Sequence, residues 1–428
     1  MTGSDSLYQE HVRTRQAKAE ATLTAHGFDS LILSSGKPFT YFADDQEAPL
    51  HTTPHFTHWL PLAGAGNLLV VRPGIKPQLI HLVPDDFWRE HQPITDSFWK
   101  EEFDIVEVKS IEHAWKIAGA LAHAAYIGDE PERARAAGVI DTNINPAELV
   151  AQLDTERSYK TPYEVACIEE AQARAAAGHK AAKIIFEKGG SELAIHQAYM
   201  AAVGCTENEL PYETITALDK KAAILHYQHK RAQGSGTVLL LDAGFGYNGY
   251  ASDITRTWAL ESADPLFKEL LARMETLQQE MCAQVLPNIV YADVHLKAHL
   301  CIGTLLNELG IITVSGEAAM EHGITKAFFP HGIGHMLGIQ VHDVGGTSKT
   351  SDERLHKSFI LEEGQVITIE PGVYFIPMLL SAHRSGVTAP LFNWDLIDRL
   401  TPSGGIRIED DILVGKTGPI NLTRKYLP

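Results

Sequence analysis

Leu241-Asp242-Ala243-Gly244-Phe245-Gly246-Tyr247-Asn248-Gly249-Tyr250-Ala251-Ser252-Asp253-Ile254-Thr255-Arg256-Thr257 decides how the second half of this chain folds. It leaves the apolar run Val238-Leu239-Leu240-Leu241, passes glycine-rich turn residues and returns through a β-branched stretch, the pattern of a β-hairpin. Asp242 ends a run too apolar to face water, and Asp253 lies on the return strand, where the two are expected to face each other. Strand interiors avoid aspartate, so the pair needs a reason. Taken alone, a turn-shaping Asp and an ion pair to Arg256 explain it as well as a site does. Two buried carboxylates repel unless a cation lies between them, and a metal ion removes that conflict.

Three further segments carry the same signal. In Pro330-His331-Gly332-Ile333-Gly334-His335 the histidines are four residues apart, but the intervening glycines exclude a zinc-binding helix and predict a loop holding imidazoles close to backbone. His342 follows within the same stretch. Val366-Ile367-Thr368-Ile369-Glu370-Pro371-Gly372 reads as a strand ending on Glu370 at a Pro-Gly turn, and Ile406-Arg407-Ile408-Glu409 puts Arg407 and Glu409 on one face of a strand. For either glutamate alone an edge-strand salt bridge suffices. Together, Asp242, Asp253, Glu370 and Glu409 with His335 are four carboxylates and one imidazole, which matches the charge of two divalent cations. Oxygen-rich ligation with one nitrogen favours manganese, cobalt or iron-type geometry over structural zinc. Paired cations activate a shared water, so the chemistry implied is hydrolysis.

The rest of the chain bounds this reading. At 428 residues, with 44% hydrophobic and 21% charged side chains, it is a globular chain with a prior of two domains, three at most. Its 36 basic against 54 acidic residues give a net charge of −18, which disfavours nucleic-acid and anionic-membrane partners. The four cysteines show no C-x-x-C pair and read as buried thiols of a reducing compartment; the polar N-terminus and the lack of a long apolar run make the cytoplasm the default location. Residues 1–160 alternate strand-like runs near Leu31, Val71 and Val83 with helical stretches at 10–26 and 111–125, an α/β pattern without a catalytic set of its own. Thr161-Pro162-Tyr163-Glu164 then reads as a capping box opening an alanine-rich helix to about Glu187. Beyond it, helices at 191–203, 264–285 and 292–309 alternate with strand-like runs at 238–244, 249–260 and 366–369, a mix of helices and hairpins that predicts an α+β domain on an antiparallel sheet over 161–428.

In their order, DAGFGYNGYASDITRT, HGIGHMLGIQVHDVGG, TIEPGVYF and GGIRIEDDILV resemble the metal-dependent proline peptidases of the pita-bread fold, and most of all the bacterial Xaa-Pro dipeptidases, which include enzymes described as organophosphorus acid anhydrolases. The likeness extends into the first domain through Tyr41–Asp45, His58-Trp59-Leu60-Pro61 and Asp86-Phe87-Trp88. It implies two divalent cations, manganese first with cobalt or zinc as alternatives, and a bridging hydroxide as nucleophile. Asp242 would chelate one cation, Asp253 and Glu409 would bridge, and His335 and Glu370 would each complete one coordination sphere. Glu370 would also move the proton; His331 and His226 would meet substrate, His342 the scissile carbonyl, and Arg407 would hold Asp253 or Glu409 in place. Tyr212, Tyr291, Leu355, His356, Trp88 and Asp45 are the implied pocket residues, and a homodimer with the first domain as lid and dimer contact is the implied assembly. His356 stands where many prolidases carry an arginine for the dipeptide's carboxylate, which predicts broadened substrate preference. Phosphotriester hydrolysis and aminopeptidase P-type cleavage of longer peptides are the alternative activities. A metal-free hydrolase or a binding protein on this scaffold should have lost ligands that are all present here.

Overall fold

The structure, a computed structural model, describes residues 3–88, 94, 96–345 and 359–428. The chain forms two compact units, Met1–Val165 and Ala166–Pro428. In the first, β1 (Ser30–Ser34), β2 (Leu68–Arg72), β3 (Ile75–Leu82), β4 (Asp104–Val108) and β5 (Ala124–Ile127) form one sheet in the order β4-β3-β2-β1-β5. The sheet is mixed: β2 runs antiparallel to β1 and β3, while β5 and β4 are parallel to β1 and β3. Its core packs Ile32, Val70, Ile80 and Tyr126 against Trp115 of helix Ile111–Ala118. That helix is shorter than the 111–125 expected from its spacing. Gly119, at φ 90°, turns the chain out of the helix, and the fully buried Ala124–Ile127 finds a strand partner in β1. The helix before β1 is longer than expected, spanning Gly3–His26.

The unit boundary falls in the first turn of helix Pro162–Glu187. Thr161 N–H donates to Glu164 Oε2 at 2.9 Å and Glu164 N–H returns to Thr161 Oγ1 at 3.5 Å, the two bonds of a capping box.

The second unit is built around short strands: β6 (Ile215–Leu218), β7 (Val238–Asp242), β8 (Gly246–Tyr247), β9 (Tyr250–Ala251), β10 (Thr255–Ala259), β11 (Val366–Ile369), β12 (Gly372–Tyr374), β13 (Gly405–Arg407), β14 (Asp410–Gly415) and β15 (Gly418–Asn421). Every ladder between them is antiparallel among the described residues. Several are pieces of longer runs. Ile369 pairs with Asp410 and Gly372 with Arg407 in one shared register, which places Glu370 opposite Glu409 in the gap between the ladders. Pro371-Gly372 is therefore no reversing turn; the missing N–H of Pro371 interrupts a strand that continues as β12. In the same way Asp242 pairs with Thr255 and Gly246 with Ala251, so that Asp253 lies across from Gly244 in an interruption rather than inside β10.

Helices Pro265–Cys282 and Tyr291–Glu308 supply Phe267, Met274, Ile302 and Leu306 to a core shared with Ile367, Ile369, Ile406 and Ile412. Helices Pro162–Glu187 and Glu192–Val203 pack Ala175, Phe186 and Tyr199 against Leu239 and Leu241 of β7. From the first of these, His179 Nε2 donates to the Ala243 carbonyl at 2.9 Å, while its Nδ1 is buried without a partner. Burial pushes the His179 pKa from 6.5 down to about 3, so the folded protein holds it neutral. Its contribution to stability is complete above the unfolded value and is lost as pH falls toward the folded one. In His179→Gln, which keeps the donor, stability against denaturant measured from about pH 6 down to about pH 4 should fall less steeply, by up to about 1.4 kcal/mol per pH unit. Equal slopes in the two proteins would contradict this.

Candidate metal centre

Three adjacent antiparallel segments bring the site together. Beyond the 366–374 run, residues 333–337 lie extended along β11: Glu370 N–H donates to Ile333 O at 2.7 Å, Thr368 N–H to His335 O at 2.8 Å, and Leu337 N–H to Val366 O at 2.9 Å. The expected imidazole loop is thus an added edge segment. Gly334 is obligatory there, since a Cβ would stand 1.9 Å from Thr368 O. On the opposite side, Thr255 of β10 bridges Glu409. The two glutamates, the histidine and the hairpin carboxylates converge because their strands are neighbours.

Asp253, His335 and Glu409 offer ligand atoms within 4.8 Å of one another, the one group of this kind among the described residues. His335 Nδ1 meets the Met336 carbonyl at 3.0 Å, so Nδ1 carries the hydrogen and Nε2, 3.4 Å from Asp253 Oδ2, faces the carboxylates. Tyr212 donates its hydroxyl hydrogen to Asp253 Oδ1 at 2.6 Å, and Thr255 Oγ1 donates to Glu409 Oε2 at 2.7 Å. Asp242 and Glu370 flank this trio. Asp242 Oδ2 accepts from Arg407 Nη2 at 2.6 Å, while its Oδ1 is buried with no partner. Glu370 Oε2 lies 3.6 Å from His331 Nδ1.

Arg407 therefore grips Asp242, not Asp253 or Glu409 as expected; it reaches Glu409 only through Thr255, to which its Nε donates at 3.2 Å. Its Nη1 donates to Tyr374 Oη at 3.0 Å, so the Tyr374 proton goes on to His331 Nε2 at 2.8 Å. Arg256 pairs with Asp410 at 2.7 Å and with neither hairpin aspartate, which removes the ion-pair account of Asp242 and Asp253. Tyr291, expected in the pocket, is a buried prop: its ring stacks on Phe359 at 4.8 Å and its hydroxyl donates to Gly334 O. His342 is exposed, its ring 4.3 Å from that of His335. His226 is exposed in the turn after Asp219–Ala223, and no hydrogen bond joins it to the carboxylates among the described residues. Asp45 and Trp88 are exposed on the first unit, Trp88 lying 4.7 Å from the Phe87 ring. Leu355 and His356 fall outside the described residues. Tyr374, bonded to His331, Thr255, bonded to Glu409, and Asp411, whose Oδ2 accepts from the Asp253 N–H, are contacts of the site that sequence reasoning missed.

The electrostatics are those of acids lacking countercharge. Burial lifts Glu370 to about 7, helped by Asp253 and Asp242 against the cationic His335 and Arg407. Burial and then the neighbouring Asp253 and Glu370 push Glu409 well above the usual carboxylate range. Burial raises Asp242 even beside Arg407. For His335 burial works downward, but the hydrogen bond and charge of Asp253, with Glu370, override it and lift the imidazole to about 9. The orphaned Asp242 oxygen, the converging trio and the surplus of acid all fit divalent cations bound by oxygen and one nitrogen.

Residues 166–416 match metallopeptidase family M24, and residues 6–155 match the N-terminal domain of Xaa-Pro dipeptidase. A Xaa-Pro dipeptidase of Escherichia coli O157:H7 is 39% identical over 435 residues, covering 98% of both chains. One from Stenotrophomonas maltophilia (strain K279a) is 40% identical over 432 residues, covering 98% of this chain and 97% of its own. Among solved structures, aminopeptidase P of E. coli in its low-pH form superposes with a TM-score of 0.75 at 22% identity, covering 98% of this chain and 95% of its own. Proline aminopeptidase P II of Yersinia pestis gives 0.75 at 21%, covering 98% and 96%. At that identity the structural likeness establishes the fold alone.

Because His335, Glu370 and Glu409 hold protons that dications would displace, cation binding to the stripped protein should release protons and tighten as pH rises from about 6 to about 8. Calorimetry in two buffers of different ionisation enthalpy measures this; binding without proton release would contradict the protonation pattern.

Proposed function

The chain belongs to metallopeptidase family M24 and is a metal-dependent hydrolase, and we propose that its reaction is hydrolysis of the imide bond of Xaa-Pro dipeptides with two divalent cations, manganese first. The observation that carries the proposal is the convergence of Asp253, His335 and Glu409 within 4.8 Å, with Asp242 and Glu370 beside them. Asp242, Asp253, His335, Glu370 and Glu409 would hold the cations, which when bound supply Lewis acidity and a water of lowered pKa. The full-length dipeptidase likeness, spanning both units, favours dipeptides over longer peptides.

The chain's own side chains divide the remaining work. Glu370, whose carboxylate would lie beside the attacking water, accepts its proton and returns it to the imide nitrogen, which has no hydrogen and must gain one to leave. Arg407 orients the Asp242 carboxylate and works against the burial that raises its pKa. Tyr374 fixes the ring of His331 by donating to Nε2, which turns Nδ1–H toward the Gly332 carbonyl at 2.8 Å and the Glu370 carboxylate. His342, exposed beside His335, stands ready to donate to the scissile carbonyl, and Tyr212 constrains Asp253. A homodimer in the cytoplasm completes the reading; no described helix is long and apolar enough to cross a membrane.

Stripped of metal, the enzyme should lose turnover of Leu-Pro and regain it with manganese, with Leu-Pro preferred over Leu-Pro-Gly and over a fluorinated phosphotriester. Activity that survives thorough metal removal would sink the proposal, and preference for the tripeptide would reassign the chain to aminopeptidase P-type cleavage. Glu370→Gln should lower kcat by about 10²–10⁴-fold, read from steady-state rates at saturating manganese.

A further inference from the structure

Asp253 is held from behind by a buried ring of side chains. Ala243 N–H donates to Ile254 O and Ser252 N–H to Phe245 O, so Gly244 and Asp253 form the pair between them whose backbone groups point away from the hairpin. The Gly244 carbonyl accepts from Tyr199 Oη at 2.7 Å, and the Asp253 N–H donates to Asp411 Oδ2 at 2.9 Å. A side chain therefore takes the place that a neighbouring strand's carbonyl would fill.

Asp411 is itself fixed by two further side chains, Gln172 and Thr423. Gln172 Nε2, from helix Pro162–Glu187, donates to the same Oδ2. Gln172 Oε1 accepts from Thr423 Oγ1 at 2.9 Å, and Thr423 Oγ1 accepts from Asp411 N–H at 2.9 Å, which closes the ring. Gln172, Asp411 and Thr423 are all wholly buried. The C-terminal segment bearing Thr423 is anchored in turn, with Arg424 Nε on Asp410 Oδ2 at 2.6 Å and the Leu427 carbonyl on Arg256 Nη2 at 2.9 Å. Asp411 Oδ1 has no partner. A buried acid with one unpartnered oxygen, placed beside other acids, weakens the fold compared with an apolar residue of similar shape. Its use lies in the bond it makes to Asp253.

We propose that Asp411, clamped by Gln172 and Thr423, is a positioning residue that sets the backbone of Asp253 and through it the affinity of the centre for divalent cations. The inference rests on the reading of Asp253 as a cation ligand. Its test is calorimetric titration of the metal-stripped full chain with manganese, alongside thermal midpoints in chelator. Asp411→Ala should raise the cation Kd by about 10–100-fold, while Asp411→Asn, which keeps the acceptor oxygen, should stay within about threefold of the parent. A merely structural role would shift the midpoints and leave the affinity of the folded protein alone.

Parent-like affinity in Asp411→Ala, or a loss in Asp411→Asn equal to that in Asp411→Ala, would overturn the proposal. Should Asp411→Ala not fold, Gln172→Met decides in its place: weakened binding supports the clamp and parent-like affinity refutes it. A parent protein that takes up no manganese would instead remove the reading of the ligands themselves.

Discussion

Removing carboxylates from water without matching cations is the constraint on which the second unit depends. Asp242, Asp253 and Glu409 are buried with Glu370 beside them, and among the described residues Arg407 is the guanidinium bonded to one of these acids, Asp242. Two positive side chains, Arg407 and the protonated His335, cannot compensate four acids in a medium of low polarity. The protein responds by keeping protons on Glu370, Glu409 and His335 that such groups would share out differently in water. Divalent cations held by these side chains would resolve the same imbalance.

The strand order makes this arrangement stiff. Residues 333–337, 366–374, 405–415 and 255–259 are successive neighbours, and the interruptions in their ladders fall where ligand-type side chains sit. Glu370 and Glu409 face each other across one gap, and Asp253 occupies another. At Asp253 and Gly244 the outward backbone groups are taken up by Asp411 and Tyr199, and at the other gap the N–H groups of Glu370 and Glu409 donate to the Ile333 and Thr255 carbonyls.

The centre was legible from sequence because each acid sits in a short apolar run, where a carboxylate contradicts its surroundings. Hairpin geometry around Asp242 and Asp253 followed from glycine placement, and the capping box at Thr161 from local chemistry alone. What stayed hidden depends on distant partners. Nothing local tells that Arg407 grips Asp242, 165 residues away, or that Gln172 meets Asp411 across 239. Tyr291 carried the opposite signal: an aromatic that the family resemblance implied in the pocket is buried and bonds the Gly334 carbonyl. Pro371-Gly372 misled in a third way, since a turn dipeptide served here to interrupt a continuing strand. The helix at 111–125 failed because the buried Ala124–Ile127 pairs with β1 instead of adding about two further helical turns.

The most direct measurement is anomalous diffraction at the manganese edge from crystals of the metal-loaded protein. The account predicts two peaks about 3.5–4 Å apart, between the carboxylates of Asp253 and Glu409, with His335 Nε2 turned onto one of them. No peak at these residues, with His335 still paired to Asp253 and the acids in their present hydrogen bonds, would contradict it.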